Sequence, residues 1–147
     1  MSRAKRKVFV ANMRSLGPVF DMTPELITRV AGRYPGVGEQ IECEFDYDLE
    51  NFDTGLRSAE ILIGWEFPRE RLGEAAPELR WIHLMVAGLD QYLPLACLPA
   101  CVSLTTSVRA HAIQAGGFLA TPVLMLIYRF SASVTNHRTG EFNPPCS

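Results

Sequence analysis

Apolar and polar positions fall along this chain in short runs, and the runs set the expected elements. Val8-Phe9-Val10-Ala11 is apolar throughout, as in a strand buried on both faces of a parallel sheet. Thr23-Pro24-Glu25 reads as a helix start. Thr23 is the N-cap, Pro24 fits the first helical position, and Glu25 complements the positive helix end. Leu26, Ile27, Val30 and Tyr34 share one face of that helix, and Pro35-Gly36 stops it. Ile41 to Tyr47 alternates apolar and acidic residues, the pattern of a strand with one wet face. Its acidic side puts it at a sheet edge, where charge discourages edge pairing. Ile61-Leu62-Ile63-Gly64-Trp65 is apolar up to Gly64 and predicts a central strand. Arg80 to Val86 predicts a fourth strand and Val102 to Thr106 a shorter fifth. Short helices or turns are expected over Leu49 to Arg57, Arg69 to Ala76 and Leu89 to Leu93.

Alternating β and α elements imply a parallel sheet with right-handed crossovers. The expected fold is α/β: a flavodoxin-like three-layer domain with a sheet of about five strands. The last third differs. Ala110 to Phe130 is nearly uncharged and apolar on all sides, so a helix there must be buried on more than one side. Gly116-Gly117 weaken that helix, and Pro122 cannot continue its hydrogen-bond ladder. Thr121-Pro122 also repeats the Thr23-Pro24 start. A helix to about Ala120, a kink or restart, and a second stretch from Pro122 to Phe130 are therefore expected. Ser131 to Ser147 is polar and Pro-rich, like a linker or tail. The organisation expected is one domain over 1–130 and a tail over 131–147.

Composition narrows the classes. A chain of 147 residues with 48% hydrophobic residues is one domain's worth and builds a core without staples. A formal net charge of −2 gives no general reason to bind nucleic acid or an anionic membrane. Cys43, Cys97, Cys101 and Cys146 include no C-x-x-C pair, and no second Cys/His pair follows Cys97 and Cys101. No metal site is expected; the cysteines read as thiols of a reducing compartment. The basic start (Arg3, Lys5, Arg6, Lys7) precedes an apolar run too short for a signal peptide. The longest apolar stretch, Phe118 to Tyr128, falls short of the roughly 20 residues that span a bilayer. The expectation is a soluble cytoplasmic protein with no nucleic-acid or membrane partner.

In open α/β sheets, ligands bind at the carboxyl ends of the strands. Three such ends carry marked residues: Gly64-Trp65-Glu66-Phe67-Pro68, Val86-Ala87-Gly88-Leu89-Asp90 and Ser107-Val108-Arg109-Ala110-His111. Gly88 lets a ligand approach the backbone, and the amides opening the Leu89 helix would face a carboxylate or phosphate. The alternative is an ordinary βα turn, with Asp90 capping or tethering it. Arg109 could pair with an anion and His111 could act as acid or base; otherwise they are a surface arginine and a helix-start histidine. Trp65 is core or a ligand wall. His83, inside an apolar strand, reads as a hydrogen-bonded structural histidine. Gly36-Val37-Gly38 precedes a strand rather than following one, the wrong order for a nucleotide loop.

Two stretches carry a family resemblance. Leu79 to Asp90 resembles the pattern "L-rWi-q-s-aGvD", and Val102 to Ser107 with Ala110-His111-Ala112 resembles "v-lTnsrgvHa". Both belong to the substrate-binding ("catalytic") domain of the D-isomer-specific 2-hydroxyacid dehydrogenases. Ile61 to Trp65 is similar to that domain's strand before its substrate loop, and the likeness runs from about Ala59 to Phe142. The resemblance implies a flavodoxin-like domain that closes with a Rossmann domain over a 2-oxo acid reduced by NADH or NADPH. It implies that the backbone amides of Val86, Ala87 and Gly88 hold the substrate carboxylate, with Trp65 and Arg109 as further substrate-binding candidates. The family's Gly-rich loop and its catalytic Arg, Glu and His lie in the Rossmann domain, so no catalytic and no cofactor-binding residue is assigned here. Gly116-Gly117 stand where the family has Ala-Glu, and Arg109 where a glycine is common. The chain is therefore expected to be a substrate domain truncated before its cofactor domain. Alone it would bind no NAD or NADP and turn nothing over. A homodimer or pairing with a Rossmann domain would cover the apolar helix. The other reading is a degenerate, non-catalytic flavodoxin-like module acting in dimerisation or regulation.

Overall fold

The computed structural model describes residues 4–94, 98 and 101–140. Arg3, Cys97, Pro99 and the 141–147 part of the expected tail, Cys146 included, lie outside the described residues. The chain divides into two compact units, Met1–Ser107 and Val108–Ser147.

The first unit is an α/β domain on five parallel strands: β1 (Arg6–Asn12), β2 (Ile41–Tyr47), β3 (Ile61–Gly64), β4 (Trp81–Leu84) and β5 (Ser103–Thr106). Their order in the sheet is β2-β1-β3-β4-β5, the flavodoxin-like order. The acidic alternating strand β2 lies at an edge and the apolar β3 at the centre, as their patterns predict.

Strand alternation sorts the side chains onto two faces. Phe9 pairs in register with Leu62 and Leu62 with Ile82, so these three share one face. All three are fully buried. They are joined in one core by Phe52 and Leu56 of α3 (Phe52–Leu56) and Leu72 of α4 (Leu72–Ala75). Gly55 brings α3 onto β1: a Cβ there would stand 2.2 Å from Cε2 of Phe9. On the opposite face Val8 and Val10 are buried, whereas Ile61, Ile63 and His83 are half-buried and Trp81 is 41% exposed. Helix α1 (Pro24–Ala31) meets that face beside β2, where Ile27, Ala31, Cys43 and Phe45 line one crevice.

Local chemistry accounts for the turns. The Leu26 amide donates to the Thr23 hydroxyl at 3.3 Å, so Thr23 caps α1 as its position predicts. The helix ends at Ala31, before Tyr34, and Pro35-Gly36 begins a separate turn, α2 (Pro35–Gly38), instead of only stopping the first. Pro35 stands at the first helical position, where its missing N–H costs nothing. Buried Asn12, at the end of β1, accepts from the Met22 amide at 2.9 Å and donates to the Met22 carbonyl at 3.2 Å. That clamp fixes the segment entering α1.

The second unit corrects the helical expectations for the last third. Helix α5 (Val108–Ile127) is one continuous helix of 20 residues, with no restart at Pro122. The Thr121 hydroxyl donates to the Gly117 carbonyl at 3.1 Å, beside the position where Pro122 lacks a donor. The helix ends at Ile127, and two residues on, Arg129 takes the left-handed conformation (φ 48°). A further helix, α6 (Phe130–Thr139), occupies most of the stretch read as linker, and ends at Gly140 with φ 73°. By length and composition α5 could cross a membrane, with a mean hydropathy of 1.5 and none of it buried. The apolar helix is longer than the run from Phe118 to Tyr128 because it begins at Val108 and continues through Gly116-Gly117. Ile113, Phe118 and Leu126 are each more than three-quarters exposed, at 78%, 76% and 77%.

Candidate functional site

The ends of β3 and β4 lie side by side, and the site is built on them. The Met85 amide donates to the Gly64 carbonyl at 3.0 Å, which extends the pairing one step past both strands. By that register Trp65 stands opposite Met85 as the two strands leave the sheet, and Val86 follows one residue on. Gly64 is tightly seated: a Cβ there would lie 3.3 Å from Ala11. The Val86 side chain is buried in the core, so only its backbone is available, whereas Ala87 and Gly88 are exposed. The Val86 carbonyl accepts from the Ser107 amide at 3.0 Å, which ties the loop to the end of β5. Among the described residues, the amides of Val86, Ala87 and Gly88 donate to no backbone carbonyl. Three free N–H groups on one exposed loop suit a carboxylate.

The helix expected from Leu89 to Leu93 is only a three-residue 3-10 turn, Asp90–Tyr92. So short a turn sums too few peptide dipoles to attract an anion, and Asp90 at its start opposes one. The carboxylate lies close over the loop: a Cβ added at Gly88 would stand 3.4 Å from Oδ2 of Asp90. Any anion held here is held by the individual amides.

Three residues around the loop escaped sequence reasoning. Tyr92 is buried, and its hydroxyl donates to the Trp65 carbonyl, joining the two strand-end loops. Burial, the largest influence, pushes its phenol above the ordinary value, so it stays protonated and keeps donating. Phe20 packs edge-on against the Trp65 ring with centroids 5.0 Å apart. Arg69 places its guanidinium 5.6 Å from the Tyr92 ring centroid. These contacts cross 45, 27 and 23 residues of chain, and no local pattern announces them.

Compared with known proteins, the chain matches no family model, no curated protein and no solved structure.

Of the substrate-binding residues expected, the first unit brings together Trp65, Val86, Ala87 and Gly88. Arg109 belongs to α5 in the second unit and is exposed there. His83 has both ring nitrogens occupied, Nδ1 with the Thr105 hydroxyl at 2.9 Å and Nε2 with the Ser107 hydroxyl at 3.1 Å. The Trp81 indole N–H donates to the same Thr105 oxygen at 2.8 Å. This is the hydrogen-bonded, structural arrangement expected of it. Burial lowers its pKa, so the neutral ring is favoured. Among the described residues no cluster of three or more His, Cys, Asp or Glu could hold a metal.

Among the described residues, the glycines nearest β1 and β2 do not form the strand-to-helix turn that seats a dinucleotide's phosphates. Gly36 and Gly38 sit in α2, ahead of β2, rather than in a turn from strand to helix. Gly38 serves packing there, since a Cβ would lie 2.8 Å from that of Ala31. The loop after β1 runs through Met13, Arg14 and Ser15, with no glycine before Gly17.

Proposed function

We propose that the first unit is the substrate-binding domain of an NAD(P)-dependent D-2-hydroxyacid dehydrogenase. It takes the carboxylate of a small 2-oxo or 2-hydroxy acid on the amides of Val86, Ala87 and Gly88. The observation that carries this reading is that loop: exposed, glycine-containing, its amides free, at the carboxyl edge of a parallel sheet. Trp65, fixed between Phe20 and the Tyr92 bond, forms the wall beside it. The work of these residues is to bind and orient. No redox step is assigned to them, and the NADH or NADPH of the complete reaction would be held by a Rossmann domain. On this reading the protein is cytoplasmic, in keeping with the free thiols of Cys43 and Cys101. Protein, as a second copy or a Rossmann domain, would then cover α5, and neither lipid nor nucleic acid is a partner.

Gly88→Ala tests the reading. The added methyl meets only Asp90, at ordinary contact distance, so the fold should be kept. It would nevertheless crowd the ligand's approach to the backbone. Calorimetric titration with pyruvate should show binding by the wild type and at least about tenfold weaker binding by Gly88→Ala. Equal affinities would reject the loop as the carboxylate site. The exposed apolar circumference of α5 favours a second reading, a non-catalytic module that acts by association. Saturable self-association without any response to 2-oxo acids would support it instead.

A further inference from the structure

Two apolar surfaces of this chain lack a cover, one in each unit. A parallel sheet is ordinarily covered on both faces. Here the face opposite the Phe9–Leu62–Ile82 core is closed beside β2 by α1 but open over β3 and β4. Ile61, Ile63 and His83 stand half-buried there, and Trp81 is exposed. The polar groups of this patch already have partners: the Trp81 N–H and His83 Nδ1 both meet the Thr105 hydroxyl, and His83 Nε2 meets that of Ser107. An apolar element could therefore cover the patch without stranding a donor or acceptor. Helix α5 is the matching surface, apolar on every side with no residue buried.

We infer that α5 of a second copy covers this sheet face, each copy lending its helix to the other. The inference does not rest on the carboxylate seat. One residue, Ser107, joins β5 to α5. A strand ordinarily takes about two to six residues to turn into the helix that returns over its own sheet. So short a connection favours exchange of the helix between copies. Charge points the same way. Residues 108–140 hold Arg109, Arg129 and Arg138 and no acidic residue, while 15 of the chain's 16 acidic residues lie in 1–107. Two such helical segments repel each other, whereas a helical segment and a first unit attract. Helix on sheet is therefore favoured over helix on helix. The area suffices as well. Nine large apolar side chains of α5 are exposed, among them Ile113, Phe118 and Leu126. At roughly 100 Å² each they would supply the ~800 Å² that each partner of a specific dimer buries. Exchange in both directions closes the symmetry and leaves neither surface free.

The test is light scattering coupled to size exclusion on a dilution series of the full chain, in the wild type and Trp81→Lys. The wild type should run at twice 16.4 kDa. Trp81→Lys lies on the sheet face and leaves α5 untouched, so it should keep the circular dichroism spectrum and raise the dimer dissociation constant about tenfold or more. Tryptophan emission of the wild type supplies a readout that needs no variant: it should shift to the blue over the same concentrations at which the mass doubles. A clean wild-type monomer would overturn the inference. So would a dimer that Trp81→Lys leaves unchanged, or one that forms with no change in emission, because either places the contact away from this face. Co-sedimentation of wild type and Trp81→Lys alike with vesicles of phosphatidylglycerol and phosphatidylcholine, without a dimer in solution, would assign α5 to lipid and also overturn it.

Discussion

Gly55→Ala should destabilise the protein although alanine is the better helix former. Its Cβ would stand 2.2 Å and 2.8 Å from two ring carbons of Phe9, and 2.9 Å from Oε1 of Glu44. Glu44 is exposed and can swing aside. Phe9 cannot, being fully buried and held edge-on to Phe52 with centroids 6.0 Å apart. Either the ring leaves its rotamer or α3 lifts from β1. Overpacking of this kind costs about 1–3 kcal/mol. The helix-propensity gain of alanine over glycine returns at most about 1 kcal/mol. A net loss of about 1–2 kcal/mol is expected, lowering the melting temperature by about 2–4 °C for each kcal/mol in a chain of this size. Urea unfolding and thermal melts followed by circular dichroism would measure it. Phe9→Leu removes the obstructing ring, so the double variant should lose less stability than the sum of the two singles. Gly73→Ala in α4 is the control: its Cβ would meet nothing within 4 Å, and stability should hold or rise. A Gly55→Ala protein as stable as the wild type would refute the close approach of α3 to β1.

Two further outcomes follow from the burial pattern. Burial holds the pKa of His83 below its ordinary 6.5, so the unfolded chain takes up the proton first as pH falls. Its contribution to stability should be complete above pH 6.5 and be lost as pH drops through the lowered native value. The wild type should therefore lose more stability than His83→Gln between pH 7 and pH 5 in urea titrations, and parallel losses would refute this. The exposed apolar side chains of α5 should make the full chain self-associate in light scattering coupled to size exclusion. Phe118→Glu with Leu126→Glu should reduce that association, and a clean wild-type monomer would contradict it.

The sheet was legible because its strands carry strong patterns. The run from Val8 to Ala11 has no polar residue, and Ile41 to Tyr47 alternates strictly, so pattern alone identified an inner strand and the edge. Helix ends were legible where one side chain decides them, as Thr23 does. They were missed where two readings share one residue: Pro35 can end one helix or open the next turn. Pro122 reads as a breaker because an interior proline loses a hydrogen bond and crowds the preceding turn, yet the 20-residue helix runs through it. Helix α6 lacks an apolar stripe, so periodicity could not mark it. Around the candidate site, strand pattern alone placed Trp65, Val86, Ala87 and Gly88 just past the carboxyl ends of β3 and β4. Phe20, Arg69 and Tyr92 were not legible, because each matters through a contact with a residue distant in sequence.

Adding pyruvate to the ¹⁵N-labelled chain while following its backbone amide resonances tests the proposed carboxylate seat at Val86–Gly88. Saturable shifts should concentrate at Val86, Ala87 and Gly88, with smaller ones at Trp65 and Tyr92, and none at α1 or along β2. Shifts that stay absent at millimolar pyruvate, or that gather elsewhere on the protein, would contradict it.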